Sequence, residues 1–159
     1  MKPNFPLSLA IFDAVPVLLF SAAMLLAGKK LQSLCFFLGA LLCTLAGIGK
    51  VTWKIILAGA KKDIAPLSKQ MLFLMPAGFL LMLISFIYTL TKATARQAIL
   101  QSILSFPSIA FFALTLVGMA AMGVFATKLD QAKTRSNWIE EITNTIAQGS
   151  FLLGILFCN

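Results

Sequence analysis

The sequence predicts an all-α, polytopic integral membrane protein: one helical bundle over residues 1–159 with five transmembrane helices. Three observations lead there. The chain is 60% hydrophobic and 11% charged. Its mean hydropathy is +0.96, and its apolar runs reach about 20 residues, the length that crosses roughly 30 Å of hydrocarbon. At 159 residues there is room for one compact bundle and no separate soluble domain.

The first segment, 7–27, follows Lys2 and has the outline of a signal peptide. Asp13 and Pro16 interrupt it, and Leu25 stands where cleavage wants a small residue, so it reads as an uncleaved first span. Gly28-Lys29-Lys30 predicts a tight turn into the second helix, 31–60, which is apolar but for Lys50 and Lys54. Lys61-Lys62-Asp63 and Pro66 mark a loop before the third helix, 69–90. That helix contains Pro76 and Gly78, which membrane helices accept when neighbours satisfy the freed carbonyls.

A polar link with Lys92, Thr94 and Arg96 leads to the fourth helix, 99–127, where Ser105, Pro107 and Ser108 predict a kink. Lys128, Asp130, Lys133 and Arg135 form the next loop. The last segment, 138–157, is polar in its first half and apolar in its second. It reads as a fifth span with one polar face; the alternative is four spans plus an interfacial helix.

The net charge of +8 has no soluble basic domain to present it, which argues against a nucleic-acid partner. The cations flank hydrophobic runs instead and set orientation. Nine (Lys2, Lys50, Lys54, Lys61, Lys62, Lys69, Lys128, Lys133, Arg135) fall on the side of the amino terminus, against Lys29, Lys30, Lys92 and Arg96 opposite. The excess places the amino terminus in the cytoplasm, most simply at the plasma membrane.

Cys35, Cys43 and Cys158 are odd in number and lie in apolar segments, so no disulfide framework is implied. With no histidine and no Cys-x-x-Cys, the usual metal and haem ligand sets are missing, and no cofactor is expected. Gly47-Ile48-Gly49-Lys50 matches a phosphate loop only by letters, because it lies in an apolar helix with no preceding strand. Pro16 and Pro76 occupy similar depths, yet too little else recurs to argue an internal repeat.

The informative residues are the charges at membrane depth. An ionisable group there costs roughly 2.5–3.5 kcal/mol on insertion scales and persists only if paired, hydrated or useful. Asp13 on the first helix, Lys50 on the second, and Glu141, Asn144 and Gln148 on the last all reach the cytoplasmic half. From Glu141, Thr145, Gln148 and Asn144 fall at roughly +40°, −20° and −60° around the helix, one polar wedge. On the second helix Cys35, Gly39, Cys43 and Gly47 form a small-residue ridge for close packing, and Lys50 continues it. The expected pairing is Lys50 with Glu141 or Asp13.

Trp53, Lys54, Trp138 and Glu140 read as interface anchors, by aromatic belt, snorkelling and helix dipole. Asn144 and Gln148 can equally be interhelical hydrogen bonds that hold the bundle. Function follows in three classes. The leading expectation is transport or binding of a small solute, ion or proton at the Asp13–Lys50–Glu141–Asn144–Gln148 cluster. The alternative is an accessory or scaffold subunit with a membrane-protein partner, or a homo-oligomer. An intramembrane lipid-modifying enzyme ranks third, since no nucleophile and base are paired in the sequence and no catalytic residue is assigned.

Overall fold

A computed structural model describes residues 6–130 and 133–158; Lys2 of the orientation count lies outside them. The described chain is all-helical: α1 (Leu7–Phe12), α2 (Ala14–Lys30), α3 (Leu34–Ala60), α4 (Ala65–Lys69), α5 (Met71–Thr91), α6 (Ala93–Leu104), α7 (Ser108–Lys128) and α8 (Thr134–Phe157). Four rods, Leu7–Lys30, Leu34–Ala60, Ala65–Thr91 and Ser108–Lys128, are long and apolar enough to cross a membrane, as an integral membrane protein requires. The fifth rod, α8, has 24 residues, about 36 Å at 1.5 Å per residue, but a more polar composition.

Each break in the rods has a local cause. Pro16 lacks the N–H that would bond the Phe12 carbonyl, so α1 stops at Phe12 and resumes after Asp13. The first turn comes later than the glycine signal suggests. α2 runs through Gly28 to Lys30, and Gln32 takes the left-handed conformation (φ 49°) that closes it. Ser33 N–H donates to the Gly28 carbonyl at 3.3 Å and Gln32 N–H to the Lys29 carbonyl at 3.1 Å. These two bonds satisfy carbonyls that the helix end would otherwise orphan. Gly28 is used for close packing instead: a β-carbon there would meet the Phe37 backbone at 3.1 Å.

Two further expectations are corrected. Pro66 does not sit in a loop; it lies in the first turn of α4, where a missing N–H costs nothing, so the third rod starts at Ala65. The fourth helix is not one kinked rod. Ser105 is extended (ψ 145°), Phe106 precedes a proline and is disfavoured in the α region, and Pro107 precedes α7. The segment therefore divides into α6 and α7, and Lys92 and Arg96 belong to the cap and first turn of α6. The last helix begins at Thr134, about a turn before the expected start.

The long helices stand in a row, α5–α3–α2–α8–α7, with packing between each adjacent pair. α5 and α7, at the two ends of the row, do not pack against each other along their lengths; α6 joins them at one end of the bundle. That end, with the α2–α3 turn, is the distal end; the end where α1 and α8 begin is the base. α8 runs beside α1–α2 over the full height. At the distal end the Lys30 ammonium donates to the carbonyls of Leu156 and Cys158, the last of α8.

The closest crossing is between α3 and α5. A β-carbon on Gly39 would lie 2.7 Å from the Gly78 carbonyl, and one on Gly78 would lie 2.6 Å from Cys43 Sγ. The expected ridge is thus shared between two partners: Gly39 and Cys43 meet α5, whereas Gly47 meets Val17 on α2 and Cys35 is exposed. Polar bonds add to the crossing, with Ser33 Oγ and Ser85 Oγ 2.5 Å apart and Gln70 Nε2 donating to the Ala46 carbonyl at 3.3 Å. Leu18, Leu83, Leu116 and Val117 point outward, the surface a bilayer would cover.

Gly39→Ala sets a methyl group against a backbone oxygen that cannot give way. It should cost about 1–3 kcal/mol, the range for overpacking. Gly123→Ala, which meets nothing within 4 Å, should change stability by less than about 0.5 kcal/mol. Unfolding in detergent micelles checks both, and equal losses would locate the close crossing elsewhere.

Candidate ion-binding site

Three helices deliver charged groups to one level near the base. Asp13 lies six residues inside the start of α1, Lys54 six before the end of α3, and Glu141 seven inside the start of α8. At 1.5 Å per residue, all three stand about 9–11 Å from their helix ends. Lys54 Nζ lies 2.8 Å from Asp13 Oδ2 and 3.5 Å from Glu141 Oε1. The side chains are 13%, 8% and 16% exposed respectively, so this is an internal cluster and not a solvated ion pair.

The joint at Asp13 explains why a carboxylate is tolerated there. Asp13 continues the rod, its N–H donating to the Leu9 carbonyl at 3.0 Å, while its side chain turns inward to α3 and α8. Lys54 Nζ lies within 4 Å of both acids, which sets the carboxyl groups of Asp13 and Glu141 side by side around one ammonium. Glu141 Oε2 is buried and makes no hydrogen bond among the described residues, and Asp13 Oδ2 is buried with only the Lys54 ion pair. An unserved carboxylate oxygen beside a second carboxyl group is a place for a positive charge: an ammonium, a small cation or a proton.

Lys54 takes the role expected of Lys50. Lys54 does not anchor at the interface; it bridges the two acids. Lys50 is half-buried one turn deeper, adds its positive field to both carboxyl groups, and is in none of the ion pairs among the described residues. Depth counted from helix ends explains the difference. Lys50 lies ten residues before the end of α3, about 15 Å, too deep to face Asp13 and Glu141.

The polar wedge of α8 also divides. Glu141 faces α1 and α3, whereas Gln148 Nε2 donates to Asn144 Oδ1 at 3.3 Å and lies 3.6 Å from Met119 Sδ on α7. Thr145 Oγ1 donates to the Glu141 carbonyl at 2.8 Å. Asn144 and Gln148 therefore stand at the α7–α8 interface and not in the cluster. Trp53 Nε1 donates to Asp63 Oδ1 at 2.9 Å, tying the end of α3 to the exposed loop that follows. Trp138 packs its ring 5.3 Å from that of Phe12 and covers the base beside Asp13. Glu140 is half-buried at the same level of α8.

Among the described residues no group of three histidine, cysteine or carboxylate side chains could hold a metal ion. No family model, no curated protein and no solved structure matches this chain. The site is read from its geometry.

Removing one member of a buried charge cluster strands the others, a loss of about 3–5 kcal/mol. Lys54→Met should show it, and Lys50→Met should cost distinctly less. The neutral triple variant Asp13→Asn/Lys54→Met/Glu141→Gln should regain most of the Lys54→Met loss, because burying amides of similar volume costs far less than burying unpaired charge. Thermal unfolding of purified protein ranks the three; a greater loss in Lys50→Met would contradict the bridge assigned to Lys54.

Proposed function

We propose that this is a five-span membrane protein that binds a small cation, or a proton, between Asp13 and Glu141, as part of ion or small-solute transport. The observation that carries the reading is the buried acid pair with Lys54 held between its carboxyl groups and Glu141 Oε2 still without a donor. In this proposal Lys54 acts as a tethered occupant. Its ammonium offsets one of the pair's two negative charges while the site is empty, and an entering cation takes its place. The favoured ligands are therefore alkali cations and small primary ammonium compounds.

Release of Lys54 needs somewhere for it to go. The base end supplies that place, since a lysine six residues from the end of α3 can extend its stem toward the headgroups. Lys50 tunes affinity from the deeper side. Its field opposes the binding of a second cation, which suits a site that must also let go.

The fifth span and the orientation belong to the same proposal. α8 is the most polar long helix, but its polar groups are absorbed within the protein. Glu141 meets Lys54, Gln148 bonds Asn144, and Thr145 and Ser150 bond carbonyls four residues back. With both ends level with those of α1–α2, α8 would cross wherever that rod crosses. The base, rich in lysine, would face the cytoplasm and the carboxyl terminus the outside. A carboxy-terminal tag should then be accessible only from outside intact cells; an internal tag would reduce α8 to an interfacial helix.

The binding test is chemical rescue. Lys54→Ala opens the space that the ammonium vacated, and methylammonium chloride should raise its melting temperature in a saturable way. Occupancy at ten times the dissociation constant corresponds to about 1.4 kcal/mol of stabilisation. Wild type should respond at higher concentration, because Lys54 competes, while Asp13→Asn and Glu141→Gln should not respond beyond N-methylglucamine chloride. Equal responses in all four proteins would remove the acid pair from the proposal.

A further inference from the structure

The acid pair occupies the base, and a separate concavity lies at the distal end. A cavity of about 630 Å³ lies between α2, α3, α5, α7 and α8 with α6 across it. That is within the roughly 300–1,000 Å³ of small-molecule sites. Its walls are apolar: Met24, Phe36, Phe86, Ile99, Phe112 and Phe151 contribute, and Lys30 stands at its rim. Because α5 and α7 do not pack together, the row of helices leaves this space facing the bilayer beneath α6.

α6 has the form of an interfacial cover. Its 12 residues span about 18 Å, too short to cross. Ala95, Ile99, Ser102 and Ile103 are its half-buried stripe, and Leu100 and Leu104 are exposed on the other faces. Such a helix lies along the headgroup boundary with apolar groups dipping into the acyl region.

Charge identifies the head group. All five acids of the chain, Asp13, Asp63, Asp130, Glu140 and Glu141, belong to the base. The distal end holds Lys29, Lys30, Lys92 and Arg96 and no acidic side chain. Lys30 already holds the last carbonyls of α8 and remains exposed, so its ammonium can also meet an anion outside the cavity. An apolar chamber open to lipid, rimmed by cations without acids, matches one occupant in both its parts. We propose that the cavity binds an anionic phospholipid, one acyl chain within it and the phosphate against Lys30. The lipid would complete the distal end by filling the gap between α5 and α7, and this proposal does not rest on the cation reading of the base.

The test is retention of lipid by the full chain. Protein is reconstituted in nanodiscs of equimolar phosphatidylglycerol and phosphatidylcholine, released into mild detergent, and weighed by native mass spectrometry. Wild type should keep one lipid, with phosphatidylglycerol favoured about fivefold. Ile99→Trp, which fills the chamber, should lower retention about tenfold, and Lys30→Gln should keep a lipid while losing the preference for charge. Should Ile99→Trp fail to give a monodisperse protein, Ala98→Trp on the same wall is read in its place. Equal retention of both lipids by wild type, or undiminished retention by the filled variant, would overturn the proposal.

Discussion

Hydrocarbon offers no hydrogen-bond partner, and that constraint governs the arrangement of polar groups in this chain. Apolar residues are dispensable at most outward positions, because one can replace another. The polar residues are not, since most of those within the helical rods meet a partner inside the protein, the buried Ser21 and Ser108 hydroxyls being exceptions among the described residues. Ser33 meets Ser85, Gln70 meets the Ala46 carbonyl, and Thr115 Oγ1 reaches the Ala147 carbonyl at 3.4 Å. Lys54 is the extreme case, one ammonium serving acids from two other helices. The packing order α3–α2–α8 is the order that lets it do so. Close helix approach then follows at glycines, where van der Waals packing replaces the hydrophobic drive that lipid cannot supply.

Much of this was legible in the sequence. Apolar length and lysine-marked loops predict the first three long rods and α8 to within about four residues, because bilayer thickness fixes them from outside, whereas the fourth rod starts nine residues later than expected. Boundaries slipped where a residue has two uses. Gly28 can turn a chain or let helices approach, and only the neighbouring Phe37 decides. Pro66 can end a helix or begin one, depending on whether its missing N–H was needed. Pro107 was recognisable as a disruption, but whether such a site bends or breaks depends on Ser105 and Phe106 leaving the helical region together.

The candidate site was legible in its members but not in its pairing. Asp13 and Glu141 stand out as acids at depth, and topology brings both to the base. Lys50 and Lys54 lie four residues apart, about 40° around the helix, so helical phase cannot choose between them. Depth can, once helix ends are known, and it selects Lys54. Asn144 and Gln148 share a wedge with Glu141 in projection, yet two neighbours press on α8 from different sides and divide that wedge. The distal cavity left no mark in the sequence, because it is a property of the gap between α5 and α7.

α8 connects the two ends of the molecule. At the base its Glu141 faces Lys54, and at the distal end its last carbonyls receive the Lys30 ammonium. It also carries Phe151 in the cavity wall, three turns from Glu141 on the same rod. A rod fixed at both ends cannot tilt at one without loading the other. Displacement of Lys54 by a cation would relax the base attachment of α8, and the Lys30 contact would take up the strain. The proposed lipid rests against that same contact, so its phosphate would compete with the helix carbonyls for Lys30 or brace them through it. Any coupling between the two proposed sites would therefore run along α8, which carries the contacts of both.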